Sequence, residues 1–187
     1  MIHCTKKNLR YQSADGKTWV AAYFYHPLEQ TRAVIQLSHG MCEYIERYEP
    51  MIEVLCQAGF AVCGNDHLGH GGTGEQENWG FFAEKNGYKL VLKDMHTMNV
   101  LAKKTWPGLQ LILLGHSMGS FFARWFAELY PYDIDGLVIS GTGGPSPVMD
   151  AGLALAKSLC ALRGPRYVSR MMVNASTGSY TRKIEDT

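Results

Sequence analysis

No run of apolar residues in the 187-residue chain approaches the eighteen or so needed to cross a bilayer. The opening stretch, MIHCTKKNLRYQSADGK, is polar and lacks the apolar core of a secretion signal. Both absences lead to the expectation of a cytoplasmic protein without an integral membrane segment. Charge excess is also missing: the net charge is +1 and the basic residues are scattered. That excludes the electrostatic footprint of a nucleic-acid-binding protein. Cysteine is sparse and odd in number, five in all, with no CxxC spacing, which argues against a disulfide framework or a zinc site. Free thiols are expected, several of them packed as small hydrophobes. Internal repeats and low-complexity tracts are absent too.

What is present is 46% hydrophobic residues, enough for a sizeable core in one domain or one domain with a small addition. Asn8 to Pro27 reads as two strands joined at Ala14-Asp15-Gly16. Ala33 to Ser38 is a short apolar strand, and Pro50 to Gly59 brackets a helix with proline at its start and glycine at its stop. Phe60 to Gly64 is the next core strand, followed by the glycine-rich loop Asn65 to Gly74. Tyr88, Val91, Leu92, Met95, Met98, Asn99 and Ala102 fall on one helical face. Ser120 to Tyr130 is apolar almost all round, as in a helix buried on every side, and Gly136 to Ser140 is expected to be a buried strand. A further helix spans Met149 to Leu162, beyond the breaker cluster Gly143-Gly144-Pro145-Ser146-Pro147. Strands alternating with helices predict an α/β fold: a mostly parallel sheet with helices on both faces and an N-terminal antiparallel hairpin. The division expected is 1–143 as core and 144–187 as the start of a cap.

The chemistry concentrates in Leu111 to Phe126, LILLGHSMGSFFARWF. A bare apolar strand runs into Gly115-His116-Ser117-Met118-Gly119 and then into a helix, the setting of a nucleophile elbow. The glycines are needed because a Cβ on either side of the serine would collide with the neighbouring strand or helix. Ligands of such sheets bind beyond the carboxyl ends of the strands, where His39-Gly40-Met41, Asp66 to Gly74, Ser117 and Gly141 to Gly144 all lie. The loop residues His39, Asp66, His67 and His70 are most simply loop-fixing groups. Asp66, His67 and His70 lack a fourth ligand at a usual spacing, so no metal is expected, and no cofactor.

Four segments, Ser38-His39-Gly40-Met41-Cys42-Glu43, Asn65-Asp66-His67-Leu68-Gly69-His70-Gly71, Leu114 to Ser120, and Ser140-Gly141-Thr142-Gly143, occur in an order and spacing that resemble the α/β-hydrolase serine hydrolases. The likeness is to the lysophospholipase and monoacylglycerol-lipase-like group, of serine aminopeptidase S33 type, and to its N-terminal portion. Gly178-Ser179-Tyr180 resembles a cap segment of that group. The resemblance implies an acyl-enzyme on Ser117, with the backbone N–H groups of Met41 and Met118 as oxyanion donors and a small lipid ester as substrate. Gly40 and His116 are the substrate-contact positions it implies, although His116 leaves the strand on the face opposite Ser117.

One component is missing. The order in this fold is Ser, then Asp or Glu, then His, but the seven histidines stand at 3, 26, 39, 67, 70, 96 and 116, all before Ser117. Losing that histidine costs about a millionfold in turnover, about 8 kcal/mol. The triad Asp and His are therefore expected to be absent, the fold incomplete at its C-terminus, and the chain alone inactive or nearly so. If a base is recruited, His70 and His39 are the first candidates. Strand Leu137 to Ile139 would be an uncovered edge able to self-associate. An aminopeptidase of the same fold and a non-catalytic module that retains the elbow are the competing readings.

Overall fold

The computed structural model describes residues 4–174; Gly178-Ser179-Tyr180 lies outside them. The residues fall into two compact units, Met1–Gly143 and Gly144–Thr187. The first is built on a six-stranded sheet of strands β1 (Cys4–Gln12), β2 (Trp19–Pro27), β3 (Ala33–Ser38), β4 (Phe60–Asn65), β5 (Leu111–His116) and β6 (Gly136–Ser140). Their spatial order is β1-β2-β4-β3-β5-β6. The hairpin β1–β2 adds antiparallel to β4, whereas β4, β3, β5 and β6 run parallel to one another.

Period-two alternation divides the core between two faces. Tyr23, Tyr25, Ile35, Leu37 and Val62 point to one side, where they pack with Ile45, Ile52 and Cys56 around helix α1 (Glu49–Gln57). Ala22, Phe24, Val34, Ala61 and Cys63 point to the other, against Met98 and Ala102 of helix α2 (Gly87–Thr105). Helix α3 (Met118–Leu129) shares that second side, with Phe122, Ala123 and Phe126 packed on Leu113 and Met95. The fold is thus α/β with helices on both faces. The Pro50 start and Gly59 stop of α1 stand where expected, and Gly59 has φ +82°.

Burial departs from expectation in two places. Helix α3 is two-faced rather than buried all round: Phe121, Trp125 and Leu129, four residues apart, are exposed, and Trp125 stacks on Tyr88 with ring centroids 4.8 Å apart. Strand β6 is not buried either. It is the last strand of the sheet, and Leu137, Val138 and Ile139 are each at least 40% exposed, so both of its faces reach solvent. Asp94 on α2, a polar helix position, is buried as well. Its carboxylate accepts hydrogen bonds from Ser13 Oγ and the Ala14 N–H, both at 2.7 Å, and so ties the hairpin turn to the helix.

The second unit contains helix α4 (Pro147–Arg163), capped by Ser146 Oγ, which accepts from the Met149 N–H. None of its residues is buried, and Val148, Met149, Leu153, Leu155 and Leu162 are exposed. No helix among the described residues is long and apolar enough to cross a membrane.

Candidate active site

Because β3, β4, β5 and β6 are parallel, their carboxyl ends open on one edge. Ser38 is paired with Gly115 and His116 with Ser140, which sets residues 39–41 and 141–143 on either side of the turn at Ser117. Ser117 occupies φ +50°, ψ −118°, a conformation that L-residues rarely adopt. Three bonds hold the bend: the Ser117 N–H donates to Ser140 O at 2.9 Å, and the Ser120 N–H and Oγ both donate to Ser117 O, at 2.9 and 2.6 Å.

The flanking glycines are compulsory for steric reasons. A Cβ on Gly115 would stand 2.4 Å from Gly119 O, and one on Gly119 would stand 2.1 Å from Ser38 O. Ser117 is half-buried, at the N-cap of α3, and its side chain makes no capping bond. Its hydroxyl is not consumed by the helix it precedes. The helix presents its positive end there.

Gly40 lies against Ser117: a Cβ built on it would be 3.2 Å from Ser117 Cβ. No acceptor among the described residues takes the N–H of Met41 or of Met118. The loop between them and β3 is shaped by Glu43, whose Oε2 accepts from the Gly40 N–H at 2.9 Å and from the Tyr48 hydroxyl. The Gly40-x-x-Glu43 spacing, suited to a side chain closing a tight turn, is the sequence signal of this role of Glu43. His116 turns away from Ser117, with Nδ1 3.2 Å from Ser140 Oγ and its ring edge-on to Tyr48.

The loop-fixing roles are explicit. Asp66 carboxylate oxygens accept from the Ile45 N–H at 2.8 Å, the Gly72 N–H at 2.7 Å and the Tyr23 hydroxyl at 3.1 Å. Burial pushes its carboxyl above the ordinary range, against these bonds. His39 is fully buried; its Nε2 accepts the His67 N–H at 2.9 Å, which leaves the hydrogen on Nδ1 to donate to Gly40 O at 2.8 Å. Burial lowers its pKa to about 3. Both nitrogens are spent and the ring is neutral, so His39 is unsuited to be a recruited base. His67 packs at 4.2 Å on His39 and is held near Ser38 Oγ, its pKa also lowered by burial. His70 Nδ1 donates to Leu68 O at 3.0 Å. The rings of His67 and His70 both pack tilted on His39, with centroids 4.2 and 5.4 Å away. No three His, Cys, Asp or Glu groups among the described residues converge as metal ligands would.

A strained serine stands at a strand-to-helix bend between two glycines that tolerate no side chain, and a family model for serine aminopeptidase S33 matches residues 29–184. The chain belongs to that family of α/β hydrolases. It is 30% identical over 148 residues to the human monoglyceride lipase, covering 72% of this chain and 45% of that protein. To the monoacylglycerol lipase of Mycolicibacterium smegmatis it is 32% identical over 164 residues, 85% of this chain and 55% of the other. Among solved structures, a thermostable carboxyl esterase from Bacillus coagulans in complex with glycerol superposes with a TM-score of 0.80 at 33% identity, over 91% of this chain and 55% of that one. The family member described here spans about half the length of the curated relatives it matches.

Proposed function

We propose that this chain carries the nucleophile and oxyanion-binding half of a carboxylic ester hydrolase acting on monoacyl lipids, of monoacylglycerol-lipase or lysophospholipase type. Ser117 attacks the ester carbonyl, the Met41 and Met118 amides hold the oxyanion, and water releases the acyl group from the serine. The observation that carries this reading is the conformation of Ser117, strained at φ +50° with its hydroxyl unused by the helix cap. Proteins keep such strain where the rest of the fold over-determines it, and most often at reactive sites. Gly40 borders the nucleophile, where the reacting ester would sit.

The 187-residue chain alone turns over little, because its histidines all precede Ser117 and His39 is neutral and saturated by hydrogen bonds. Residues 144–187 are the start of a cap, and the exposed leucines of α4 suit an acyl chain better than a peptide amine.

The test is a fluorophosphonate probe on the chain and on Ser117→Ala, read by intact mass, with a monoacylglycerol ether or an aminoacyl amide as competitor. Slow labelling, confined to Ser117 and reduced by the ether, is expected. Competition by the amide alone would favour the aminopeptidase. Absence of labelling in a folded chain would favour a non-catalytic module that keeps the elbow as a relic.

A further inference from the structure

Tyr48 closes the short 3-10 turn Ile45–Tyr48, whose first residue is fully buried and donates its N–H to Asp66 Oδ1 at 2.8 Å. From this fixed base the tyrosine reaches both sides of the elbow. Its ring packs on the core cluster of Ile35, Leu37 and Ile45 and stands edge-on to His116, the residue before Ser117, with centroids 6.2 Å apart. Its hydroxyl donates to Glu43 Oε2, and the same oxygen accepts the Gly40 N–H at 2.9 Å. Gly40 in turn lies against Ser117. The contacts therefore run in a closed circuit from His116 through Tyr48, Glu43 and Gly40 back to Ser117.

We propose that Tyr48 is a positioning residue for the oxyanion loop: acting through Glu43, it fixes Gly40, and with it the adjoining Met41 N–H, against Ser117. The inference rests on the reading of Ser117 as nucleophile and of the Met41 N–H as an oxyanion donor. A backbone donor is effective only where the charge develops, so its placement has to be settled before the reaction begins. A misplacement of about 1 Å costs up to about a hundredfold in rate.

The loop needs such a hold. Cys42, Asn86 and Ser117 are the non-glycine residues among those described that have positive φ, and Cys42, at φ +59°, lies within the segment between Gly40 and Glu43. A side chain is disfavoured in that conformation, so the segment relaxes toward extended backbone unless its ends are held. Met41 and Cys42 are exposed and supply no packing of their own. Glu43 Oε1 faces Arg47 Nε at 3.6 Å, but Arg47 is exposed and water competes for that contact. The half-buried Tyr48 hydroxyl is the firmer anchor of the carboxylate.

The experiment measures the second-order rate of Ser117 labelling by a fluorophosphonate in the full chain, in Tyr48→Phe and in Tyr25→Phe, with folding followed by circular dichroism. Tyr25→Phe removes a hydroxyl bonded to Glu49 at 3.0 Å in the same core cluster, and so controls for a purely structural loss. Tyr48→Phe keeps the ring and is expected to slow labelling about tenfold. Tyr25→Phe leaves the rate unchanged, and the monoacylglycerol ether, which forms no oxyanion, competes equally well in all three. In a Cys42→Gly background, where the left-handed backbone is relaxed, the effect of Tyr48→Phe should shrink to about threefold. Should Tyr48→Phe not fold, Glu43→Gln, which keeps the side chain's shape and weakens both bonds, carries the same comparison. Equal rates in parent and variant, an equal loss in Tyr25→Phe, a parallel loss of ether competition or an undiminished effect in Cys42→Gly would each overturn the proposal while leaving Ser117 as nucleophile. A folded parent that is not labelled at all overturns the reading of Ser117, and this inference with it.

Discussion

Gly119 sits so close to the end of β3 that a Cβ on it would stand 2.1 Å from the carbonyl oxygen of Ser38. The first turn of α3 and the chain leaving β3 are thereby pressed together, and Gly40 comes against Ser117 in the same way, a Cβ on it standing 3.2 Å from Ser117 Cβ. Both obstructing atoms are backbone, Ser38 O and His39 O, and cannot swing aside. Gly119→Ala is expected to destabilise the fold by about 3 kcal/mol or more. Gly152→Ala, in α4 with open space around it, should be neutral or mildly stabilising. Urea unfolding of the two variants checks the contrast.

Ser117 itself should be a source of instability. Its φ of +50° suits glycine, so Ser117→Gly is expected to exceed Ser117→Ala in stability by about 1 kcal/mol. Equal midpoints for the two variants would mean that the bend stores no strain.

Much of this arrangement was legible in the residues, because steric and periodic signals are local. Pro50 and Gly59 bound α1, the alternation of Tyr23, Phe24 and Tyr25 gives β2 its two faces, and Gly115 and Gly119 mark the elbow. What escaped is long-range. Asp94 reads as a polar helix position, yet it is buried by partners 80 residues away in the chain. His39, His67 and His70 acquire their buried, closely packed state only when the β3 and β4 loops meet. Leu137 to Ile139 have the composition of a buried strand, and only the sheet order reveals that β6 is at an edge.

Asp94 gives the fold a pH dependence of definite sign. Burial raises its carboxyl from 3.8 to about 6, against the lowering effect of its bonds to Ser13 and Ala14. A carboxyl with a folded pKa above its unfolded one favours folding when protonated. Its contribution is therefore full below pH 4 and falls as the pH rises to 6, by about 3 kcal/mol. Asp94→Asn should flatten that slope, so the stability difference between variant and parent should change across pH 4–6 and stay constant above it. Denaturant titrations at half-unit pH intervals make the comparison.

The exposed apolar residues of β6 predict self-association. Light scattering is expected to find species larger than one chain at micromolar concentration, and Val138→Lys should reduce them. A monomer at all concentrations would show that the edge is protected.

The central proposal is that Ser117 is poised to take an acyl group but lacks a triad histidine, every histidine of the sequence preceding it. Hydrolysis of a p-nitrophenyl ester, measured with added imidazole and corrected for the same reaction with Ser117→Ala, tests it most directly. The account predicts a near-zero Ser117-dependent rate without imidazole that climbs as imidazole is added. A fast Ser117-dependent rate without imidazole, or no Ser117-dependent rate at any concentration in a folded protein, would contradict it.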